Sequence, residues 1–252
     1  MKTEENIKGG VIITGSLRWE NEQNAIQEQT SKDLAINREQ WRNTYLDLIN
    51  EKKHRLPIRS GRCSSTRRYT YTMVFSNLAL EKECYGLIVP YKKEIDFNNY
   101  LNFERQALLL ADVEAISKGD NKLRKEWGCI GLYLNPNSKN IDLIMRNWNT
   151  LKSTDDEYKK NAEQYRFEKV YDSSLLNKDY TLSSVCAIGT DLDFLFFTYI
   201  KPHHRNNIRK VFPTPKEIAD EIIRSGYDTY FEENRNCGIT TFEDDKIKEY
   251  LT

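Results

Sequence analysis

Three features of this sequence have residue types and spacings suited to chemistry. The first is Val11-Ile12-Ile13-Thr14, a buried strand by its β-branched run, broken by Gly15-Ser16 before Leu17-Arg18-Trp19. A strand that stops at Gly-Ser offers free backbone N–H groups, and the glycine lets a ligand come close, an arrangement suited to a carboxylate or another small anion. The competing reading is a plain strand and turn. The second feature is Glu104, one turn before Leu108 in a segment that reads as a helix from about Asn99, with Leu101, Leu108, Ala111 and Ala115 as its apolar stripe. Its carboxylate is placed on or beside the buried face. The alternative is a surface glutamate paired with Arg105 or with a residue one turn away.

The third feature is a crowd of arginines, Arg55, Arg59, Arg62, Arg67 and Arg68. If Arg59 and Arg67 point with the Gly15-Ser16 turn, their guanidinium forks suit planar carboxylates and phosphates. The plainer reading puts these charges in solvent on edge strands and turns. Other chemistries find less support. His54 and the pair His203-His204 have no Asp or Cys at ligand spacing, so no metal is expected. Ser16, Ser64 and Ser65 lack a histidine nearby in sequence, and neither a P-loop nor GxGxxG occurs, so no cofactor is expected.

These residues need elements to position them. Asn37–Ile49 has the spacing of an amphipathic helix with Trp41, Tyr45, Leu48 and Ile49 on one face. Arg55–Arg62, Tyr69–Phe75 and Tyr85–Tyr91 follow as strands, read as an antiparallel meander, with Tyr69, Tyr71, Met73 and Phe75 sharing a core face. After the helix carrying Glu104 come a strand at Trp127–Leu134, a helix at Ile141–Leu151 and a charged stretch at Thr154–Gln164. Val185–Ile200 reads as two short strands or a hairpin arm. Thr214-Pro215-Lys216-Glu217 has the form of a capping box, opening a helix that Gly226 ends. Two further helices are predicted toward Leu251. The expected fold is α+β: a single domain over 1–252, with a small, mainly antiparallel β-barrel or curled sheet of about six strands at 10–135 and a helical and strand extension at 136–252.

Composition narrows the partners. Lys+Arg and Asp+Glu each total 38, so no net field gathers nucleic acid or an acidic membrane, and neither is expected as a partner. No apolar run has the length of a membrane span, and Met1–Gly10 lacks a signal-peptide core. The five cysteines are scattered without a CxxC pair, which points to reduced thiols in a cytoplasmic protein.

With these residues placed, the chain resembles the γ-glutamylcyclotransferase-like fold, in its small and its ChaC-type members. The likeness rests on the strand running into Thr14-Gly15-Ser16-Leu17-Arg18-Trp19, on the strand Tyr85-Gly86-Leu87-Ile88-Val89, and on Glu104 after Asn99-Tyr100-Leu101-Asn102-Phe103. It spans Val11 to about Leu134. Thr14 departs from the family's tyrosine, Glu20–Ile49 is longer than the family pattern, and Glu114 is a rival to Glu104 for the catalytic position.

The resemblance implies a cofactor-free cyclotransferase that releases 5-oxoproline from a γ-glutamyl amine or peptide. Glu104 would be its general acid/base, and Thr14, Gly15, Ser16, Leu17, Arg59 and Arg67 would bind the substrate. The alternative is a non-catalytic module of the same fold that binds a small anionic metabolite or a partner protein.

Overall fold

Residues Gly9–Ile13 form β2, the strand on which the sheet is centred, and all five are buried. In the computed structural model, which describes residues 6–25, 29–117, 121–154, 175–205 and 212–252, β2 pairs antiparallel with β6 (Tyr85–Pro90) and parallel with β10 (Phe194–Ile200). With both sides paired and both faces covered, β2 has to be apolar along its whole length, which is why it reads as a continuous run. The six-stranded sheet has the order β3–β6–β2–β10–β9–β8, where β3 is Lys52–Arg55, β8 Arg124–Lys125 and β9 Gly128–Leu134. Of its five pairings only β2–β10 is parallel.

Two strand glycines make room for aromatic rings of β10. A Cβ on Gly9 would lie 2.4 Å from the ring of its register partner Phe194, and one on Gly131 would lie 2.4 Å from that of Phe197. Phe194 and Phe196 project into an aromatic cluster with Phe97, Phe103 and Trp148, where Phe103 and Phe196 have ring centres 5.0 Å apart.

Phe103 belongs to α2 (Tyr100–Val113), which opens with the Asn99 side chain accepting from the Leu101 N–H. The buried face of α2 is Phe103, Ala107, Leu110 and Ala111, while Leu101 is 59% exposed. The expected stripe through Leu101 and Leu108 is therefore out of register with the packed face. The observed face runs i, i+4, i+7, i+8, and its next position, i+11, is Glu114.

The other elements frame this core. Helix α1 (Gln29–Tyr45) begins earlier than its apolar pattern indicated, and α3 is Ile141–Thr154. β1 (Asn6–Ile7) pairs with β7 (Ile95–Asp96), and β4 (Ile58–Cys63) pairs with β5 (Tyr71–Phe75) across a bulge between Ser60 and Arg62. A second apolar cluster joins Cys63 and Tyr71 of that pair to the C-terminal helices α4 (Pro215–Ser225), α5 (Thr229–Asn236) and α6 (Asp244–Leu251) through Ile218, Ile222, Phe231 and Ile247. The capping box at Thr214 and Glu217 forms as its sequence indicates, and Gly226 ends α4 at φ +60°.

The α+β class stands, with corrections to its architecture. Among the described residues the sheet is open, with β3 and β8 as edges, and no barrel closes. The expected meander divides: β4–β5 is a separate pair, whereas β6 joins the large sheet. Leu56-Pro57 separates the expected strand at 55–62 into β3 and β4, at a residue with no N–H to give to a ladder. Tyr69, at φ +68°, lies in the turn before β5 and is 41% exposed rather than on a shared core face. A single strand, β10, forms in 185–200, where two short strands or a hairpin arm are expected. Most of the charged stretch at 154–164 lies outside the described residues. No helix among the described residues is long and apolar enough to cross a membrane.

Candidate functional site

β2 ends at Ile13, and the chain turns at Gly15 into a short 3₁₀ segment, Ser16–Arg18, in which the Arg18 N–H donates to Gly15 O (3.1 Å). Tyr230 of α5 closes over this turn. A Cβ on Gly15 would lie 2.6 Å from the Tyr230 hydroxyl, which itself accepts from the Met73 N–H at 3.2 Å. Only glycine tolerates that approach, so here the glycine serves packing against α5.

The turn lines a cavity of about 1040 Å³ bounded by β2, α1, the β4–β5 pair, the end of α2 and β10. At its buried end lies a chain of alternating charges. Arg67 holds Glu20 with both ends of its fork, Nη1 to Oε1 at 2.8 Å and Nη2 to Oε2 at 3.1 Å, and Nη2 also donates to Ser16 Oγ at 2.7 Å. From α1, Arg38 Nη1 donates to the same Glu20 carboxylate while its Nε donates to Val113 O at 2.8 Å. Arg38 Nη2 then reaches Glu114 Oε2 at 3.7 Å, and Thr198 of β10 donates to Glu114 Oε1 at 3.1 Å.

The two carboxylates are driven apart. Burial alone would raise the Glu20 carboxyl, but Arg67 and Arg38 outweigh it by charge and hydrogen bonding and hold it down at about 2. Glu114 goes the other way. Its burial, aided slightly by the Glu20 charge, lifts its carboxyl above the ordinary value of 4.5 against the opposing pull of Arg38, the Thr198 hydrogen bond and Arg67. The two carboxyl groups, joined through Arg38, are thus shifted in opposite directions by their surroundings. Arg67 itself is held firmly protonated, because Glu20 more than offsets the effect of burial.

The residues singled out from sequence divide between this cavity and other places. Thr14, Gly15, Ser16, Leu17 and Arg67 line it, and so does Glu114. Glu104 does not. It is partly buried higher on α2 and accepts from the Tyr100 hydroxyl one turn earlier at 3.2 Å. Ten residues of helix, roughly 15 Å, separate it from Glu114. Arg59 is also elsewhere: it is buried against Glu243, Nη2 to Oε1 at 2.7 Å, with its guanidinium carbon 4.4 Å from the Phe212 ring centre.

Sequence reasoning overlooked Glu20, Arg38, Thr198 and Tyr230. Arg38 and Arg42 are four apart and both buried, and Arg42 donates to Leu17 O at 2.6 Å. Two arginines at helical spacing, directed at an acid-ended turn, were the available signal.

No protein-family model, no curated protein and no solved structure matches this chain.

Proposed function

We propose that the cavity binds a small anionic substrate and performs acid–base chemistry on it through Glu114. The reaction that agrees with the Gly15-Ser16-Leu17 turn is cyclisation of a γ-glutamyl amine or peptide to 5-oxoproline, in a cytoplasmic setting that suits five unbridged thiols. In that reaction the substrate's α-amine attacks its own γ-carbonyl carbon. A new C–N bond closes the five-membered lactam, the old amide C–N bond breaks, and the proton lost by the attacking amine goes to the departing one. One carboxyl group beside both nitrogens can carry that proton, most efficiently when its pKa lies near the working pH.

The observation that carries the proposal is the position of Glu114. Of the two glutamates in contention on α2, it alone shares a cavity with the turn, and burial shifts it in the direction the task requires. The remaining roles follow from the contacts. Glu20 and Arg67 are committed to each other, so they fix the floor and aim the Ser16 hydroxyl rather than react. Arg62 and Lys125, also on the cavity wall, supply positive charge for an anionic ligand.

The mutual saturation of Glu20, Arg38 and Arg67 favours a second reading, a non-catalytic cavity that binds an anionic metabolite. The deciding experiment incubates the protein with a panel of γ-glutamyl amines and peptides, measures 5-oxoproline, and follows thermal stability with the same compounds. Release of 5-oxoproline supports the enzyme. Stabilisation by a compound that yields no product selects the binding module.

A further inference from the structure

Glu114 stands where α2 ends, and four elements fix it there. The helix closes with the Ile116 N–H donating to Ala111 O at 2.8 Å and the Ala115 N–H donating to Asp112 O at 2.9 Å, around Ala115 at φ +59°. Glycine is the usual residue in such a left-handed cap, so an alanine there is held against some strain by its surroundings. Lys125 of β8 donates to Ala115 O at 2.6 Å, and Arg38 of α1 donates from Nε to Val113 O at 2.8 Å. Thr198 of β10 donates to Glu114 Oε1 at 3.1 Å. The carboxyl group is therefore firmly placed, yet its side chain remains 17% exposed on the cavity it lines.

The charge around Glu114 is unevenly allotted. Arg38 Nη2 lies 3.7 Å from Glu114 Oε2, close enough for attraction and too long for a hydrogen bond. The same guanidinium donates from Nη1 to Glu20, which Arg67 holds with both ends of its fork. Arg38 thus spends its closest approaches on Glu20 and Val113 O, and the hydrogen bond Glu114 receives from Thr198 comes from a neutral hydroxyl. A carboxylate at a helix C-terminus also faces the negative end of the helix dipole. Two further groups bear on it: Arg67 from the β4–β5 turn, and Tyr230 of α5, whose own hydroxyl is pushed up by burial and slightly by the Glu114 charge. Burial is the largest influence on Glu114 and raises it; Arg38, Thr198 and Arg67 pull it down, and Glu20 adds to the rise.

We infer that Arg38 is the positioning residue of this site and that Glu20 restrains it: anchored on Glu20 and Val113 O, its guanidinium orients Glu114 without closing on it, which leaves Glu114 able to exchange a proton with a ligand. Without the Glu20 charge, Arg38 has only to turn from 3.7 Å to hydrogen-bond distance to hold Glu114 as a permanent carboxylate, and Arg67 is released to pull the same way. Without the Arg38 charge, Glu114 is left with its burial, the helix end and Glu20, all of which favour its neutral form. The two losses drive one carboxyl in opposite directions, which a loss of packing does not do. The inference rests on the proposed function only for what the proton is used for; the coupling of the two glutamates through Arg38 needs no substrate.

The test follows the Glu114 carboxyl in the full chain by NMR titration of carbon-labelled glutamate side chains, its signal identified by its absence in Glu114→Gln. Relative to the wild type, Glu20→Gln should lower the titration midpoint by about one pH unit or more, and Arg38→Gln should raise it by about one. Arg38→Lys keeps the charge but has a single nitrogen, which stays with Glu20, so the midpoint should rise by less. Arg55→Gln, on the exposed edge strand, should leave it where it is. A midpoint unmoved in Glu20→Gln or in Arg38→Gln, or moved the same way in both, would overturn the inference. Where a glutamine variant does not fold, Arg38→Lys decides, and an unmoved midpoint there overturns it too. Cyclotransfer fails on a different readout: absence of 5-oxoproline leaves these midpoints to shift as expected, and unmoved midpoints beside 5-oxoproline release remove the role of Arg38 alone.

Discussion

Replacing Glu20 by glutamine removes the negative charge shared by two buried guanidiniums while keeping the side chain's size. Glu20 is 4% exposed and accepts from Arg67 twice and from Arg38. Breaking such a buried pair by removing one partner leaves uncompensated charge, and near neutral pH the loss should be about 3 kcal/mol. The pH dependence gives a sharper signature. The folded Glu20 carboxyl is depressed from 4.5 to about 2, so its stabilisation is fully present above 4.5 and is lost as pH falls toward 2. The whole separation corresponds to about 3 kcal/mol, and by pH 3 about 2 kcal/mol of it should be gone. Urea denaturation from pH 7 to pH 3 measures this, comparing Glu114→Gln with the Glu20→Gln, Glu114→Gln double variant so that Glu114 titrates in neither. The stability gap between the two should shrink by about 2 kcal/mol on acidification. A constant gap, or none at neutral pH, would refute the account of the ion-pair chain.

Other outcomes follow from the same structure. Glu114→Gln alone should remove a loss of stability that sets in as pH rises: a carboxyl raised in the fold stabilises most below 4.5, and that contribution disappears as pH climbs through the folded value. Denaturation at pH 4 and at pH 8 measures the difference, which should favour the variant at the higher pH. Gly15→Ala should destabilise by about 1–3 kcal/mol, since its methyl would displace the Tyr230 hydroxyl from the Met73 N–H, and thermal unfolding reads this directly. The thiols of Cys63 and Cys186 are pushed up by burial to about 11 and about 12, so in the native protein a thiol-specific reagent at pH 7 should label them far more slowly than in urea. Oligonucleotides should show no saturable binding near physiological salt, because Arg67 is spent on Glu20 and cannot follow a phosphate backbone.

Local signals in the sequence were reliable where one element decides its own form. The capping box at Thr214 and the break at Gly15 depend on neighbours a few residues away and appear where the pattern puts them, while the β-branched run of β5 forms its strand from Tyr71 rather than Tyr69. What sequence could not supply was the facing of α2. Starting the stripe at Leu101 instead of Phe103 turns the helix enough to put Glu104 inward, whereas the packed face runs from Phe103 through Leu110 and brings Glu114 to the cavity. Glu20, Arg38 and Arg67 meet across 18 and 47 residues of chain, a proximity set by the packing of α1 and of the β4–β5 turn against β2. Arg59, eight residues before Arg67, instead meets Glu243 across 184 residues, because the C-terminal helices pack against the β4–β5 pair.

Glu114, and not Glu104, is proposed to carry the proton in this cavity. The most direct measurement compares the wild type with Glu114→Gln and Glu104→Gln for 5-oxoproline release across the γ-glutamyl panel, after thermal unfolding has shown all three folded. Loss of the proton carrier should lower the rate about a hundred- to ten-thousandfold in Glu114→Gln, with Glu104→Gln unchanged. Release that survives Glu114→Gln, release that falls as far in Glu104→Gln, or no release from the wild type on any member of the panel would contradict the account.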